Sequence, residues 1–191
     1  VASYRPDPEF NGKNIKEIAK IALGKDNLDA QIEQFIQMYE KGGAGMVYQQ
    51  MAEPDVQNIM RQPFTMIASD AGVQKFGSGV PHPRGYGNNA RVLGHYVREL
   101  HLIALEDAIR KMTSLPAQTF ALKDRGLIRE GFAADLVIFD DAKIADLATF
   151  DKPHQYAQGM SDVIVNGEIV FDGPNMTGKM SGQALFGPGR V

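Results

Sequence analysis

Residues 63–84, reading PFTMIASDAGVQKFGSGVPHPR, limit what this chain can fold into more than any other stretch. An apolar run over 64–68 ends at Ser69-Asp70, and a segment rich in Gly and Pro follows that carries His82 and Arg84. The apolar residues run continuously instead of alternating, which predicts a strand buried on both faces. A buried strand that delivers a carboxylate into a loop is how a parallel α/β sheet builds a site, because the chemistry of such folds gathers at the C-terminal ends of strands. Asp-Ala-Gly is equally ordinary turn chemistry. On this window alone, a turn and a site stand level.

The rest of the chain fits an α/β half followed by a β half. Ile15, Ile18, Ala19, Ala22 and Leu23 share one helical face, and Gly24 is placed to stop that helix. Asp26 or Asn27 can cap a second helix, carrying Leu28, Ile32, Phe35, Ile36 and Tyr39 and closed by Gly42-Gly43. A strand is expected over 46–51, and a third helix opens at Glu53-Pro54-Asp55 with Val56, Ile59 and Met60 on its buried face. Residues 71–91, with five glycines and two prolines, predict a long irregular segment, which in a compact domain points to function. Helical stripes return at Leu93, Tyr96, Val97 and Leu100, then at Leu105, Ala108, Ile109 and Met112, and Pro116 opens a short helix running to Leu122.

At Asp124 the pattern changes. Residues 136–139 form an apolar β run, and Val163-Ile164-Val165 and Ile169-Val170-Phe171 flank Asn166-Gly167, a strong hairpin signal. Residues 174–191 read as a tail poor in strands. The domain boundary therefore falls between 1–123 and 124–191.

Bulk properties narrow the function classes. A 191-residue chain with 43% hydrophobic residues can bury a real core. Its net charge of −3 comes from scattered charges, with no basic stripe for nucleic acid or an anionic membrane. No apolar run is long enough to span a bilayer and no signal peptide is visible, so a cytoplasmic location is expected. There are no cysteines, which removes disulfides and thiolate ligands from this chain. The chain opens on Val1 and not on Met, so the natural start is expected to lie upstream.

Several motifs carry a specific resemblance. DRGLIREGFAADLVIFD (124–140), followed by VIVNG (163–167), resembles the β-sandwich segments of the amidohydrolase superfamily. SDAG (69–72), PHPRGYG (81–87), ARVLGHYVREL (90–100), LEDAIRKMTSLPAQTFALKDRGLIREG (105–131) and DLATFDKPHQYAQGMSDVIVNG (146–167) narrow it to the N-acyl-D-amino-acid deacylases, or D-aminoacylases. FNGKNIKEIA (10–19) is similar to the end of that family's helical insertion over the active site. The resemblance implies an α/β chain made of the C-terminal part of a (β/α)8 metal-dependent hydrolase barrel, at 1–123, with the end of a helical lid at about 1–45. Part of a small β-sandwich would follow at 124–191.

The same resemblance implies roles for three residues. Asp70 takes the place of the catalytic general acid/base, and of a metal ligand, that activates a zinc-bound water and protonates the leaving amine. Arg84 matches the arginine that grips the free carboxylate of the substrate, a task suited to its planar fork. His82, in the same substrate-binding motif, is a residue that orders the loop. The family's other metal ligands are absent: the four histidines are His82, His95, His101 and His154, and a tetrahedral zinc site needs about three protein ligands. Most zinc ligands are therefore expected outside this chain, in a missing N-terminal part of the same enzyme, and the isolated chain is expected to be inactive.

Plainer roles are expected elsewhere. His95 and His101 read as surface or hydrogen-bonded residues, His154 as a turn residue ordering its loop through a backbone carbonyl, and Met46, Met51, Met60 and Met66 as core fill. Two other readings remain beside the deacylase. One is a cyclic amidase of the dihydroorotase or hydantoinase kind, whose substrate offers Arg84 no free carboxylate. The other is a non-catalytic fragment, supported by the missing ligands.

Overall fold

The computed structural model describes residues 1–48, 50–73 and 75–186. The chain divides into two compact units, one of Val1–Gln50, Ala71–Gly85 and Ala148–Gln155, the other of Met51–Asp70, Tyr86–Leu147 and Tyr156–Val191.

In the first unit, Asp7 caps a 3₁₀ turn at Pro8–Phe10. Helix α1 (Ile15–Leu23) starts from a reciprocal cap, in which the Glu17 N–H donates to Asn14 Oδ1 at 3.0 Å and the Asn14 N–H to Glu17 Oε2 at 2.9 Å. It ends, as its sequence predicts, at Gly24 in the left-handed region (φ 70°). Asn27 caps α2 (Leu28–Glu40). Ile18 of α1 and Met38 of α2 bury themselves against Tyr4 and Phe10, whose rings stack 5.9 Å apart.

The face that α2 buries is not its larger apolar stripe. Ala30, Gln34 and Met38 are buried, while Leu28, Ile32, Phe35, Ile36 and Tyr39 are exposed. Two antiparallel helices cover only one stripe of each other, and the small Ala30 permits that close approach. The larger apolar stripe of α2 stays open among the described residues.

The second unit holds the main core. Helix α3 (Glu53–Met60), α4 (Arg84–Arg91, from Tyr86 onward), a π-wound continuation at Val92–Glu99 and α5 (Leu105–Met112) supply most of it, and α6 (Ser114–Thr119) follows α5. Met60, Ala90, Val92, Leu93, Tyr96, Ala108 and Ile144 form its buried centre. Gly94 sits where a Cβ would lie 2.5 Å from the Ile144 carbonyl oxygen, so the π-wound segment approaches that chain more closely than any other residue permits.

The helix at Arg84–Arg91 replaces the second half of the irregular segment expected over 71–91. RGYGNNAR is a poor helix sequence by propensity. Packing overrides propensity here: Ala90 is buried, and a Cβ on Gly87 would come within 2.5 Å of Asp146 Cβ.

Neither early strand forms among the described residues. Residues 65–68 follow a turn at 63–64 without joining a sheet, and Phe64 is 73% exposed, so the run is not buried on both faces. A strand exists only against a partner, and the described residues bring none alongside it. The same holds for 46–48 and 50–51, while residue 49 lies outside the described residues. Met51 and Met66 are accordingly exposed and do not fill a core, whereas Met60 does.

The β half forms as expected. Strands β1 (Leu136–Phe139), β2 (Met160–Val165) and β3 (Glu168–Phe171) make an antiparallel sheet in the order β1-β2-β3. Asn166 (φ 48°) and Gly167 (φ 81°) form the two-residue hairpin turn, whose positive dihedrals match the twist of the strands. Residues 174–186 add no strand, and 187–191 lie outside the described residues. Among the described residues no helix is long and apolar enough to cross a membrane.

One polar network ties the three β motifs together. The nearly buried Arg125 guanidinium bonds the Asp135 carboxylate and donates to Asn166 Oδ1 at 3.2 Å. The Asn166 N–H returns to Asp135 Oδ1 at 2.7 Å, and the Asn166 amide donates to the Ser181 carbonyl. Asp135→Ala strips two acceptors and leaves Arg125 with only the more distant Asp124 carboxylate, 3.9 Å away, as charge partner. The expected loss is about 2–3 kcal/mol, in the range for hydrogen bonds to charged groups, read as a lower urea midpoint. A loss below about 0.5 kcal/mol, the scale of a neutral surface substitution, would show that the network carries little stability.

Candidate active site

The three residues singled out by sequence fall in two places. Asp70 closes a segment of the second unit, while His82 and Arg84 lie together in the first. Each is described on its own.

Asp70 is exposed and sits at φ 47°, in the left-handed region. Only Gly, Asn and Asp visit that region readily, because a short polar side chain can compensate the Cβ contact. Upstream, the Ile67 N–H donates to the Lys111 carbonyl at 3.1 Å, and Ile67 packs against the buried core. The carboxylate thus ends a segment that the Ile67 backbone bond ties to α5 three residues earlier.

Arg84 is the first residue of α4, and its side chain is exposed. Its backbone N–H donates to His82 Nδ1 at 3.1 Å, and the Gly85 N–H to the His82 carbonyl at 3.0 Å. A ring nitrogen that accepts a hydrogen bond carries no proton, so His82 is neutral with its proton on Nε2. The ring stands edge-on to Phe150, centroids 5.0 Å apart. Burial, and then the charge of Arg84, lower the His82 pKa from its ordinary 6.5.

A second histidine holds the same loop. His154 Nδ1 accepts the Gly77 N–H at 3.1 Å, and its Nε2–H donates to the Gly79 carbonyl at 2.9 Å. The expectation that His154 orders a loop through a backbone carbonyl is met, with an amide added. Phe76 packs edge-on against its ring. Residues 76–84 are therefore shaped by two imidazoles that use both backbone donors and acceptors. His95 is engaged at the surface, its Nδ1 lying 2.8 Å from Glu99.

Sequence reasoning missed Lys111. Its side chain is fully buried on α5, and its ammonium donates to the Gln62 carbonyl and to the Thr65 carbonyl and hydroxyl, at 3.3 and 3.4 Å for the latter two. The signal was available in the spacing: Lys111 stands three residues after Ala108, on the face that the apolar stripe buries.

A metal site does not assemble from these residues. Among the described residues no group of three or more His, Cys, Asp or Glu side chains is placed to hold a metal ion. Asp70 offers a single carboxylate where a zinc site requires about three protein ligands. The residues present do not fit a complete centre.

The lowered His82 pKa makes a pH prediction with a definite sign. Between the folded pKa and 6.5 the unfolded state binds more protons, so the contribution of this histidine rises with pH. It is fully present above 6.5 and is lost as pH falls through the folded pKa. The His82 ring resonances should titrate below 6.5, and acid should speed exchange of the Arg84 amide beyond its intrinsic trend. His82→Asn, which keeps an acceptor that cannot titrate, should flatten that response. A ring that titrates above 6.5 would contradict the geometry.

The amidohydrolase family model matches residues 14–171. The D-aminoacylase of Alcaligenes xylosoxydans xylosoxydans is 42% identical over 181 residues, 95% of this chain and 35% of that protein. The N-acyl-D-aspartate deacylase of the same organism is 41% identical, over 93% of this chain and 34% of its own length. Among solved structures, a crystal structure of D-aminoacylase superposes with a TM-score of 0.82 at 41% identity, covering 95% of this chain and 36% of that one. The zinc- and phosphonate-bound N-acyl-D-glutamate deacylase of Bordetella bronchiseptica superposes with a TM-score of 0.76 at 36% identity, covering 91% and 35%. The chain thus spans about a third of the length of these relatives, and its α/β structure is part of a fold of the TIM-barrel type. It belongs to the amidohydrolase family.

Proposed function

We propose that this chain is a portion of an N-acyl-D-amino-acid deacylase, to which it brings the proton-transfer carboxylate and the arginine that reads the substrate. The observation that carries this reading is the likeness to three deacylases of D-amino acids along nearly the whole chain. In this reading residues 1–123 are the last part of the barrel with the end of a helical lid at about 1–45, and 124–191 are part of the β-sandwich. Zinc is the cofactor, with most of its ligands in the rest of the protein, so the isolated chain is inactive.

The reaction adds water across an amide. The water oxygen bonds to the carbonyl carbon as Asp70 accepts a water proton, the C–N bond breaks, and Asp70 returns the proton to the leaving amine. The products are a carboxylate and a free D-amino acid. The Asp70 carboxylate is exposed on a residue in the left-handed region, where it is open to a substrate and to water. Arg84 pairs the α-carboxylate of the substrate through its fork. His82 serves the same substrate-binding segment by holding the Arg84 backbone.

The test is kinetic, in the full-length enzyme. Asp70→Asn should lower kcat by at least ~10²-fold, the usual scale for lost general acid/base help. Arg84→Ala should raise KM and lower kcat/KM by about 10- to 150-fold, since a hydrogen bond to a charged group is worth roughly 1.5–3 kcal/mol. The specific readout compares an N-acyl-D-amino acid with its neutral amide. Wild type should prefer the free acid, and Arg84→Ala should lose most of that preference. A preference that survives the substitution would assign the carboxylate to another residue.

A further inference from the structure

We propose that Lys111, working with Asp107 and Arg110 on the same helix, is a positioning residue that holds the Asp70-bearing segment in its reactive place. The proposal rests on the reading of Asp70 as proton acceptor and donor.

Three observations converge on it. The first is the cost of the group. Lys111 is fully buried, and a buried ammonium is tolerated only where its protons and its charge are both answered. Its three protons are matched by three oxygens, the carbonyls of Gln62 and Thr65 and the Thr65 hydroxyl. Its charge faces Asp107 Oδ2 at 3.7 Å. A methionine would fill the same space without any of these requirements, so the ammonium is explained by what it holds.

The second is where the oxygens lie. All belong to the segment leading to Asp70, and Arg110, paired to Asp107 at 2.9 Å, adds a bond to the Pro63 carbonyl at 2.6 Å. The backbone of Lys111 accepts the Ile67 N–H as well. Helix α5 therefore grips residues 62, 63, 65 and 67 through two cations and one carbonyl, all steadied by one carboxylate.

The third is what else fixes that segment. Among the described residues 62–70 join no strand. The bonds from α5 therefore act beside the turn bonds of the segment itself, in which the Thr65 hydroxyl donates to the Ile59 and Gln62 carbonyls at 2.8 Å, and beside the packing of Ile67 on the core. Three residues span at most about 11 Å, and Asp70 is three residues beyond Ile67. A shift at the clamp reaches the carboxylate with little chain to absorb it.

The full-length enzyme provides the test, as steady-state kinetics on N-acetyl-D-methionine with Lys111→Met, Lys111→Arg, Asp70→Asn and the double variant Lys111→Met/Asp70→Asn. Misplacing a catalytic group by about 1 Å costs on the order of 10²-fold. Lys111→Met should accordingly lower kcat by about 10- to 100-fold with little change in KM, and Lys111→Arg, which keeps charge and donors, should recover part of it. In the Asp70→Asn background Lys111→Met should cost almost nothing more, because no proton-transferring carboxylate remains to be positioned. Equal losses in both backgrounds, a loss confined to KM, or an unchanged kcat would each overturn the proposal. Should Lys111→Met fail to fold, Thr65→Val removes one acceptor of the same ammonium and is held to the same non-additivity. A normal kcat in Asp70→Asn alone would instead overturn the role of Asp70, an outcome separate from failure of the clamp.

Discussion

An ammonium group without water must have oxygens arranged around it, and the helix that carries it is then committed to the place where those oxygens are. In the second unit this constraint ties α5 to residues 62–65 through Lys111, and it sets the path by which the chain approaches Asp70. Ala108, on the same helix and fully buried, locks α5 into the core with Leu93, Tyr96 and Ile144. The core fixes the helix and the helix fixes the segment. This arrangement holds the chain below Asp70 while the Asp70 side chain stays exposed.

The loop that carries Arg84 is solved by different chemistry. It contains too much Gly and Pro to hold a shape through secondary structure, so side chains supply the missing bonds. His82 and His154 each present an unprotonated Nδ1 to a backbone amide, and His154 also donates to a carbonyl. Neutral imidazole is suited to this because it can donate and accept at once. The second histidine comes from Ala148–Gln155, a segment distant in sequence that packs within the same unit. His82 and His154 thus serve backbone geometry, and His95 is engaged at the surface.

Much of this was legible in the sequence, for identifiable reasons. Gly24 and Asn166-Gly167 are local signals whose physics is complete within a few residues, and both formed as expected; the Asn14–Glu17 cap is equally local and was readable by the same logic. The strands at 46–51 and 64–68 were not obtained, because a strand depends on a neighbour and the described residues supply none. The buried face of α2 was not legible, because periodicity reports that a stripe is apolar, not that a partner reaches it. The helix at Arg84–Arg91 was hidden because its glycines and asparagines speak against helix while its fit against Asp146 requires one. Asp70, His82 and Arg84 came from motif likeness, whereas Lys111 was overlooked because a lysine on a helix is ordinarily solvated.

The central claim is that this chain brings a proton-transferring carboxylate to an amidohydrolase without bringing a complete metal centre. Metal analysis of the purified 191-residue chain, dialysed against zinc and assayed beside the full-length enzyme on N-acetyl-D-methionine, tests it most directly. The account predicts zinc far below one per chain and no turnover, with both present in the full-length enzyme. One tightly held zinc per isolated chain together with turnover would contradict it.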